Sequence, residues 1–586
     1  MRSSAASRPG AIAASLGMVF VLLFLAENLL DGFEFFRELG YQLTRRDVTT
    51  PRFNASVYAG AYLLGLAGLA VLYGHAWRGL RLVAYVLSVA TLTTFLGFGA
   101  VNGYGFTYHE ASLVWSETSF VGDALTFFLG SYWLPLVLAV SGAVLFERFV
   151  VPRLTTTRSL LLLLVPLVAV PVNAVLLQRT HSKVYQLPIP YRIPMLLHYA
   201  YRFRTLHLAP RDAPYLDVSG PPLADHIVMV VDESVRGDLL GLNGAPYDTT
   251  PRLAALSGAV FNYGVASALS NLSSTSNIML QSGLRPDQVP DRELRSLKNP
   301  SLFAYMRHAG FAPYFIDGQI YSDKPTNFMT RYDLDELAGR FQVRREHPGL
   351  PEHQMDLAAL ERIAEIVESQ PRSFVYLLKT GAHFPYEDKY PDEERVHRPT
   401  LPLGAVTPGR VETLNSYLNA LRWAVDAFLM RTVERLEATG RNVLVVYTSD
   451  HGQSLLEPGP DGQPFRGFPH ATPLDPPVEQ ALVPLMLIAV GERVREALAL
   501  RYLPELTDRV SSFEIFPTLL VAAGFDPGEV RARYHTSLFD PEARSEARFF
   551  VSGNLFEQGR PYQNQLVRRV SRAYRNPFEP PLRRAT

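Results

Sequence analysis

Ile227-Val228-Met229-Val230-Val231 is an unbroken apolar run that stops dead at Asp232-Glu233-Ser234. A short, continuous apolar segment reads as a parallel strand buried on both faces, and α/β sheets place their sites beyond the carboxyl ends of such strands. The design recurs twice. Phe374 to Lys379 runs into Thr380-Gly381-Ala382-His383, and Asn442 to Tyr447 runs into Thr448-Ser449-Asp450-His451-Gly452. Three strands that end in carboxylates or imidazoles are expected to converge on one metal site. From Asp225 onward such strands alternate with amphipathic stretches, Met355 to Ser369 and Val411 to Thr439. Residues 225–586 are therefore expected to form an α/β domain around a mostly parallel central sheet.

The sequence ahead of that domain has a different character. Ala11 to Leu30 is mostly Ala, Val, Leu and Phe, about the twenty residues needed to cross ~30 Å of hydrocarbon. Arg2 and Arg8 precede it, as in a signal peptide, but the run is long, lacks a small-residue cleavage site and is followed by more apolar stretches. Further spans read as 57–74, 82–101, 124–146 and 160–177, giving a five-helix transmembrane domain over residues 1–178. Arg78, Arg81, Arg148, Arg153 and Arg158 fall in connections on the N-terminal side, which the positive-inside rule reads as cytoplasmic. Arg37, Arg45, Arg46 and Arg52 in the first outer connection argue the other way. An odd number of crossings puts everything after Leu177 on the opposite side from the N-terminus. Residues 179–224 read as an interfacial linker, in which Met195 to Arg204 interleaves aromatics and arginines with leucines, a pattern suited to the headgroup zone. Pro210, Pro214, Pro221 and Pro222 mark the boundary of the outer domain.

Composition narrows the function classes. The 586 residues carry 56 Lys and Arg against 56 Asp and Glu, so no global charge favours nucleic acid. With no cysteine, disulfides, thiolate metal sites and cysteine nucleophiles are all excluded. The final segment, with Arg568, Arg569, Arg572, Arg575, Arg583 and Arg584, is basic, and reads as a solvated tail or a contact with anionic headgroups. Within the spans the one charge noted is Glu27, near an end, where snorkelling or a helix contact accounts for it better than a transport path does.

Glu233, Asp450 and His451 supply two carboxylates and one imidazole, a set suited to a catalytic Zn²⁺ with an open position. A hydroxyl nucleophile is sought near that position. Ser270-Asn271-Leu272-Ser273-Ser274-Thr275-Ser276 leads into Asn277-Ile278-Met279-Leu280, so its hydroxyls are expected at a helix N-terminus, where free amides and the dipole favour phosphate. His383 and His470 lie in Pro-containing loops and are candidates to hold a phosphate oxygen, protonate a leaving alkoxide or ligate a second metal.

As a set, these motifs resemble the membrane-bound phosphoethanolamine transferases of Gram-negative bacteria, within the alkaline phosphatase and sulfatase superfamily. The stretch Val230 to Gly244, VVDESVRGDLLGLNG, followed by Thr249-Thr250-Pro251, is similar to the family's opening strand and loop; SSFEIFPTLLVAAG, residues 511–524, is similar to the superfamily's late helix. The resemblance implies that Glu233, Asp450 and His451 bind one tight zinc, with a second metal conceivable. It also implies that Thr275, in NLSSTSNIML, is both a zinc ligand and the nucleophile, with Ser273 and Ser274 as alternates, and that His383 and His470 assist. Phosphatidylethanolamine would be the donor, a phospho-threonine the intermediate, and lipid A or an inner-core sugar of lipopolysaccharide the acceptor. The chain would be a monomer of the bacterial inner membrane with a periplasmic catalytic domain.

Asp232 stands where the family usually has Gly, either as an added ligand or as a backbone hydrogen-bond acceptor. The cationic headgroup calls for acidic or aromatic walls, for which Glu110 and Glu117, or Glu387 and Asp388, are candidates. A phosphoglycerol transferase acting on a periplasmic glycan shares the architecture. A sulfatase would need Cys or Ser, then Pro two residues on and Arg two further, which is missing after Ser270 to Ser276. A non-catalytic membrane binding or transport protein would not need the full set of metal and nucleophile residues. Adding an amine to an anionic lipid would weaken binding of cationic peptides such as polymyxin.

Overall fold

The computed structural model describes residues 9–30, 32–44, 50–102, 106, 132–151, 154–179, 187–206, 209–256, 258–291, 293–319, 326–402, 409–457, 469–472, 476–541, 548–553, 555–556 and 565–569. Two compact units divide the chain, Met1–Leu206 and His207–Thr586.

The first unit is helical. Pro51–Gly74, Arg78–Ala100, Trp133–Val150 and Thr156–Val175 are long and apolar enough to cross a membrane, and Ala14–Leu30, which turns by 82° into Phe35–Thr44, makes up to five. Apolar side chains such as Leu82, Trp133 and Leu167 point outward, as hydrocarbon surroundings allow. Inside, Tyr58, Tyr62, Leu66, Leu69 and Tyr73 pack with Leu187, Tyr191 and Leu196. Gly65 and Gly68 lie close against Pro188 and Tyr191, where an added Cβ would stand 3.0 Å from Pro188 and 3.2 Å from the Tyr191 hydroxyl. Glu27 makes a helix contact: its Oε2 accepts the Ile189 amide at 2.7 Å, at the first turn of the helix Ile189–Leu206. There a carboxylate meets unpaired N–H groups and the positive end of the dipole. Of the expected span 124–146, residues 124–131 lie outside the described residues. So do Glu110, Glu117 and, in the basic tail, Arg572, Arg575, Arg583 and Arg584.

The second unit is built on a seven-stranded sheet. Its strands are β1 (His226–Asp232), β2 (Val260–Ser267), β3 (Ala312–Asp317), β4 (Gly339–Gln342), β5 (Ser373–Leu378), β6 (Val443–Ser449) and β7 (Leu482–Val490), in the order β2-β7-β6-β1-β5-β3-β4. β6, β1, β5, β3 and β4 run parallel, while β7 is antiparallel to both β6 and β2. Every residue of β1, β5, β6 and β7 is buried, which is why their sequences are continuous apolar runs rather than alternating ones. The amphipathic stretches form the helix Glu352–Ser369 and a long helix from Arg410 to Glu437 that widens into a π turn at Arg422–Ala427. Beyond the sheet, Phe549–Gly553 and Gln565–Arg569 pair as a two-stranded ribbon.

β1 is paired directly to β5 on one side and β6 on the other, with Val231 opposite Leu378 and Thr448. The three strands that end in candidate ligands are thus adjacent and end together.

Candidate metal and nucleophile site

Glu233, Asp450 and His451 each offer a ligand atom, and these atoms lie within 4.8 Å of one another, all buried. Glu233 follows the last residue of β1. Its side chain accepts from Ser234 Oγ at 2.8 Å and from Gln319 Nε2 at 3.0 Å. Ser234 sits at φ 61°, an uncommon region for serine, so the chain turns sharply as it leaves the strand. Asp450 is held through Oδ1, which accepts the amides of Ser234 at 3.2 Å and His451 at 2.7 Å. Its Oδ2 is buried with no hydrogen-bond partner among the described residues. His451 donates from Nδ1 to the Gly452 carbonyl at 2.8 Å, which leaves Nε2 facing the carboxylates, 3.4 Å from Glu233 Oε1 and 3.5 Å from Asp450 Oδ2.

An orphaned carboxylate oxygen, a second carboxylate and an imidazole oriented by its own backbone bond are what a divalent cation of the zinc type requires. The residues fit a metal. Without one, two carboxylates buried together would be costly.

The helix Ser273–Ser282 aims its N-terminus at this cluster. Ser273 Oγ lies 3.0 Å from His451 Nε2 and 3.3 Å from Glu233 Oε2. Of the hydroxyls in this stretch, Ser273 Oγ is the one hydrogen-bonded to the ligand group; Thr275 Oγ1 and Ser274 Oγ are buried and, among the described residues, have no hydrogen-bond partner. The loop ahead of the helix is fastened by its own polar groups. Ser276 Oγ donates to the Ser270 carbonyl and accepts the Ser270 amide, each at 3.1 Å. Asn271 Nδ2 reaches Thr472 O and Gln480 Oε1, each at 2.8 Å.

The His470 ring stacks on His451 with centroids 4.4 Å apart and meets His383 at 5.3 Å, so the three imidazoles form one group. His383 Nδ1 donates to Phe384 O at 2.6 Å. Desolvation, with the Lys389 ammonium acting in the same direction, pushes its imidazole down to about 3.

Asp232 is not part of the ligand cluster. Its Oδ1 accepts the Glu233 amide at 2.9 Å and its Oδ2 pairs with Lys379 Nζ at 2.6 Å and Tyr447 OH at 2.7 Å. Burial pushes its carboxyl up to about 6 although Lys379 pulls the other way. Glu387 and Asp388 lie on the turn after His383, where burial raises both carboxyls. Sequence reasoning missed Gln319, which spans from Glu233 Oε2 to the Lys379 carbonyl at 2.9 Å; its position two residues past the end of β3 was the available signal. Lys379 was passed over as the end of an apolar run.

The family model described as Sulfatase matches residues 225–525. The Kdo(2)-lipid A phosphoethanolamine 7''-transferase of Escherichia coli K12 is 26% identical over 270 residues, 45% of this chain and 44% of that one. Phosphoethanolamine transferase CptA of Salmonella typhimurium is 24% identical over 332 residues, 52% of this chain and 55% of that one. The chain thus spans about half the length of the curated relatives it matches. Among solved structures, the integral membrane lipooligosaccharide phosphoethanolamine transferase A of Neisseria meningitidis superposes with a TM-score of 0.61 at 18% identity, over 87% of this chain and 96% of that one. That likeness is one of fold: apolar helices followed by a sulfatase-like domain.

Proposed function

The chain belongs to the sulfatase family, and from that premise we propose that it is a zinc-dependent transferase that moves phosphoethanolamine from phosphatidylethanolamine to lipopolysaccharide through a covalent phosphoserine. The observation that carries this reading is the Ser273 hydroxyl held against two candidate ligands, His451 and Glu233, at 3.0 and 3.3 Å. That both relatives are phosphoethanolamine transferases, and one acts on Kdo(2)-lipid A, supports the choice of group and acceptor.

Glu233, Asp450 and His451 would hold the zinc, which lowers the pKa of a coordinated hydroxyl and offsets charge on the phosphoryl oxygens. Ser273 Oγ attacks the donor phosphorus. A Ser–O–P bond forms as the phosphorus–oxygen bond to diacylglycerol breaks. The proton lost by Ser273 leaves with the departing alkoxide, while His383 and His470 hold the phosphoryl oxygens. The amides at the start of the helix Ser273–Ser282 stabilise the equatorial phosphoryl oxygens. In the second step a hydroxyl of lipid A or of an inner-core sugar attacks the phosphoserine. Its proton goes to the Ser273 oxygen as the Ser–O–P bond breaks, and the enzyme is regenerated. Both lipids present their headgroups at a membrane surface, which suits a catalytic unit tethered to apolar spans, in the bacterial inner membrane with this unit in the periplasm.

The test is peptide mass spectrometry of the full-length protein after incubation with phosphatidylethanolamine and zinc. A phosphoethanolamine adduct on Ser273, absent from Ser273→Ala, is expected. An adduct on Thr275 restores the threonine assignment. A glycerol phosphate adduct formed only from phosphatidylglycerol replaces the proposed donor, and no adduct with either lipid defeats the covalent mechanism.

A further inference from the structure

Behind the ligand cluster lies a buried cation that the proposed chemistry does not use. Lys379 is wholly inaccessible, as is Asp232 beside it. Its ammonium donates to Asp232 Oδ2 at 2.6 Å and to the Ala424 carbonyl, stands 3.7 Å from Asp356 Oδ2 and lies 4.0 Å from the centre of the Phe428 ring. Ala424 belongs to the π turn Arg422–Ala427, where the wider hydrogen-bond spacing takes carbonyls out of the regular α-helical ladder. One cation is thus bound to the end of β1, to a helix on one face of the sheet and, by proximity, to the helix Glu352–Ser369.

Each anchor leads to a site group within a few bonds. Asp232 Oδ1 fixes the amide of Glu233, and Asp232 Oδ2 also receives Tyr447 OH, three residues before Asp450. Asp356 accepts the amides of Thr380 at 2.8 Å and Gly381 at 3.3 Å, which shapes the turn leading to His383. That turn closes back on the ligand: Ala382 N donates to the Glu233 carbonyl at 3.0 Å. A Cβ on Gly381, at φ 57°, would stand 2.4 Å from Asp232 Oδ1 and 2.6 Å from Glu233 N. The peptide of Glu233 is therefore gripped at its N–H and at its carbonyl by groups whose own positions are set by Lys379.

We propose that Lys379 is a positioning residue: by clamping Asp232 to the π turn it fixes the backbone of Glu233 and of the Gly381–His383 turn, and so the geometry with which the cluster receives its metal. This rests on the reading of Glu233, Asp450 and His451 as a metal site. A lysine needed only for stability would be replaceable by an uncharged, space-filling pair, because a buried ion pair exchanged as a whole for neutral residues leaves stability nearly unchanged, whereas removal of one partner strands a charge.

The decisive variant is the double substitution Lys379→Met with Asp232→Asn in the full-length protein in detergent. It is measured by thermal melting, by zinc competition against a chromophoric chelator and by the electronic spectrum of the Co²⁺ form. The expected result is a melting temperature near that of the unaltered protein, zinc affinity at least tenfold weaker, shifted Co²⁺ bands and a lower kcat at unchanged KM. A folded double variant with unaltered zinc affinity and Co²⁺ spectrum would overturn the proposal. Should the double variant not fold, Lys379→Arg decides. It keeps the charge but not the reach to both Asp232 and Ala424, so displaced Co²⁺ bands support the clamp and an unchanged spectrum refutes it. If the unaltered protein takes up no zinc, the metal reading fails on its own and takes the clamp with it.

Discussion

Ser273 and Thr275 make the sharpest contrast between neighbouring hydroxyls. Ser273→Ala is expected to lower transfer by on the order of 10³-fold or more, as loss of a nucleophile does, while Thr275→Ala stays within a few-fold. Initial rates of lipid modification separate them. The three candidate ligands could be picked out because each follows an apolar run, and the run fixes where its strand ends. The nucleophile was not legible at single-residue precision, because the phase of a short polar helix depends on where it starts, and four adjacent hydroxyl residues give no apolar period to fix that. At the other end of β1, His226 is buried, with Nδ1 2.9 Å from Ser373 Oγ, and desolvation holds its imidazole down to about 4. Against an unfolded value near 6.5, the folded state refuses a proton that the unfolded chain accepts. The associated stability is complete above pH 6.5 and is lost as pH falls through 4. His226→Asn should flatten the fall of the thermal midpoint across that window; an unchanged slope would assign the acid sensitivity elsewhere.

Among elements, the segment from Ser270 to Ser282 and the turn at Gly381 are the two whose local form the site depends on. Ser276→Ala removes the pair of bonds to Ser270 and is expected to cost about 1 kcal/mol, with a larger proportional loss in kcat than in stability, because the loop it fastens delivers Ser273. Gly381→Ala meets both a left-handed backbone and the Glu233 peptide, so a cost of about 3 kcal/mol or more is expected, seen as a lowered melting temperature together with weakened metal uptake. Strands β1, β5 and β6 and the two long helices were readable from period and length. The π turn was not: a single inserted residue leaves the apolar pattern of Val411 to Thr439 almost intact, and only the Lys379 side chain reaching its carbonyl gives it meaning.

At the scale of the whole molecule, the sheet brings β5, β1 and β6 side by side, and the site follows from where their ends meet. Removing the metal should therefore loosen three strand ends at once. A chelator is expected to lower the melting temperature of the full-length protein by several degrees and abolish transfer, with zinc restoring both and magnesium neither; an unchanged melt would separate the cluster from any metal. The fold class was open to sequence reading because both units carry their environment in their composition, helices with outward-pointing apolar side chains in one and fully buried strands in the other. The way Glu27 caps the helix Ile189–Leu206 was not, since it joins residues 162 positions apart.

The fastening of Asn271 to Gln480 and of Ser270 to Ser276 has a consequence for how the enzyme meets its surroundings. A chain without cysteine that secures its nucleophile loop by side-chain hydrogen bonds needs no oxidant to mature and has no covalent staple for a reductant to cut. Its activity should be indifferent to the thiol balance of the compartment in which it works, and any cysteine introduced as a reporter would be the sole thiol on the protein.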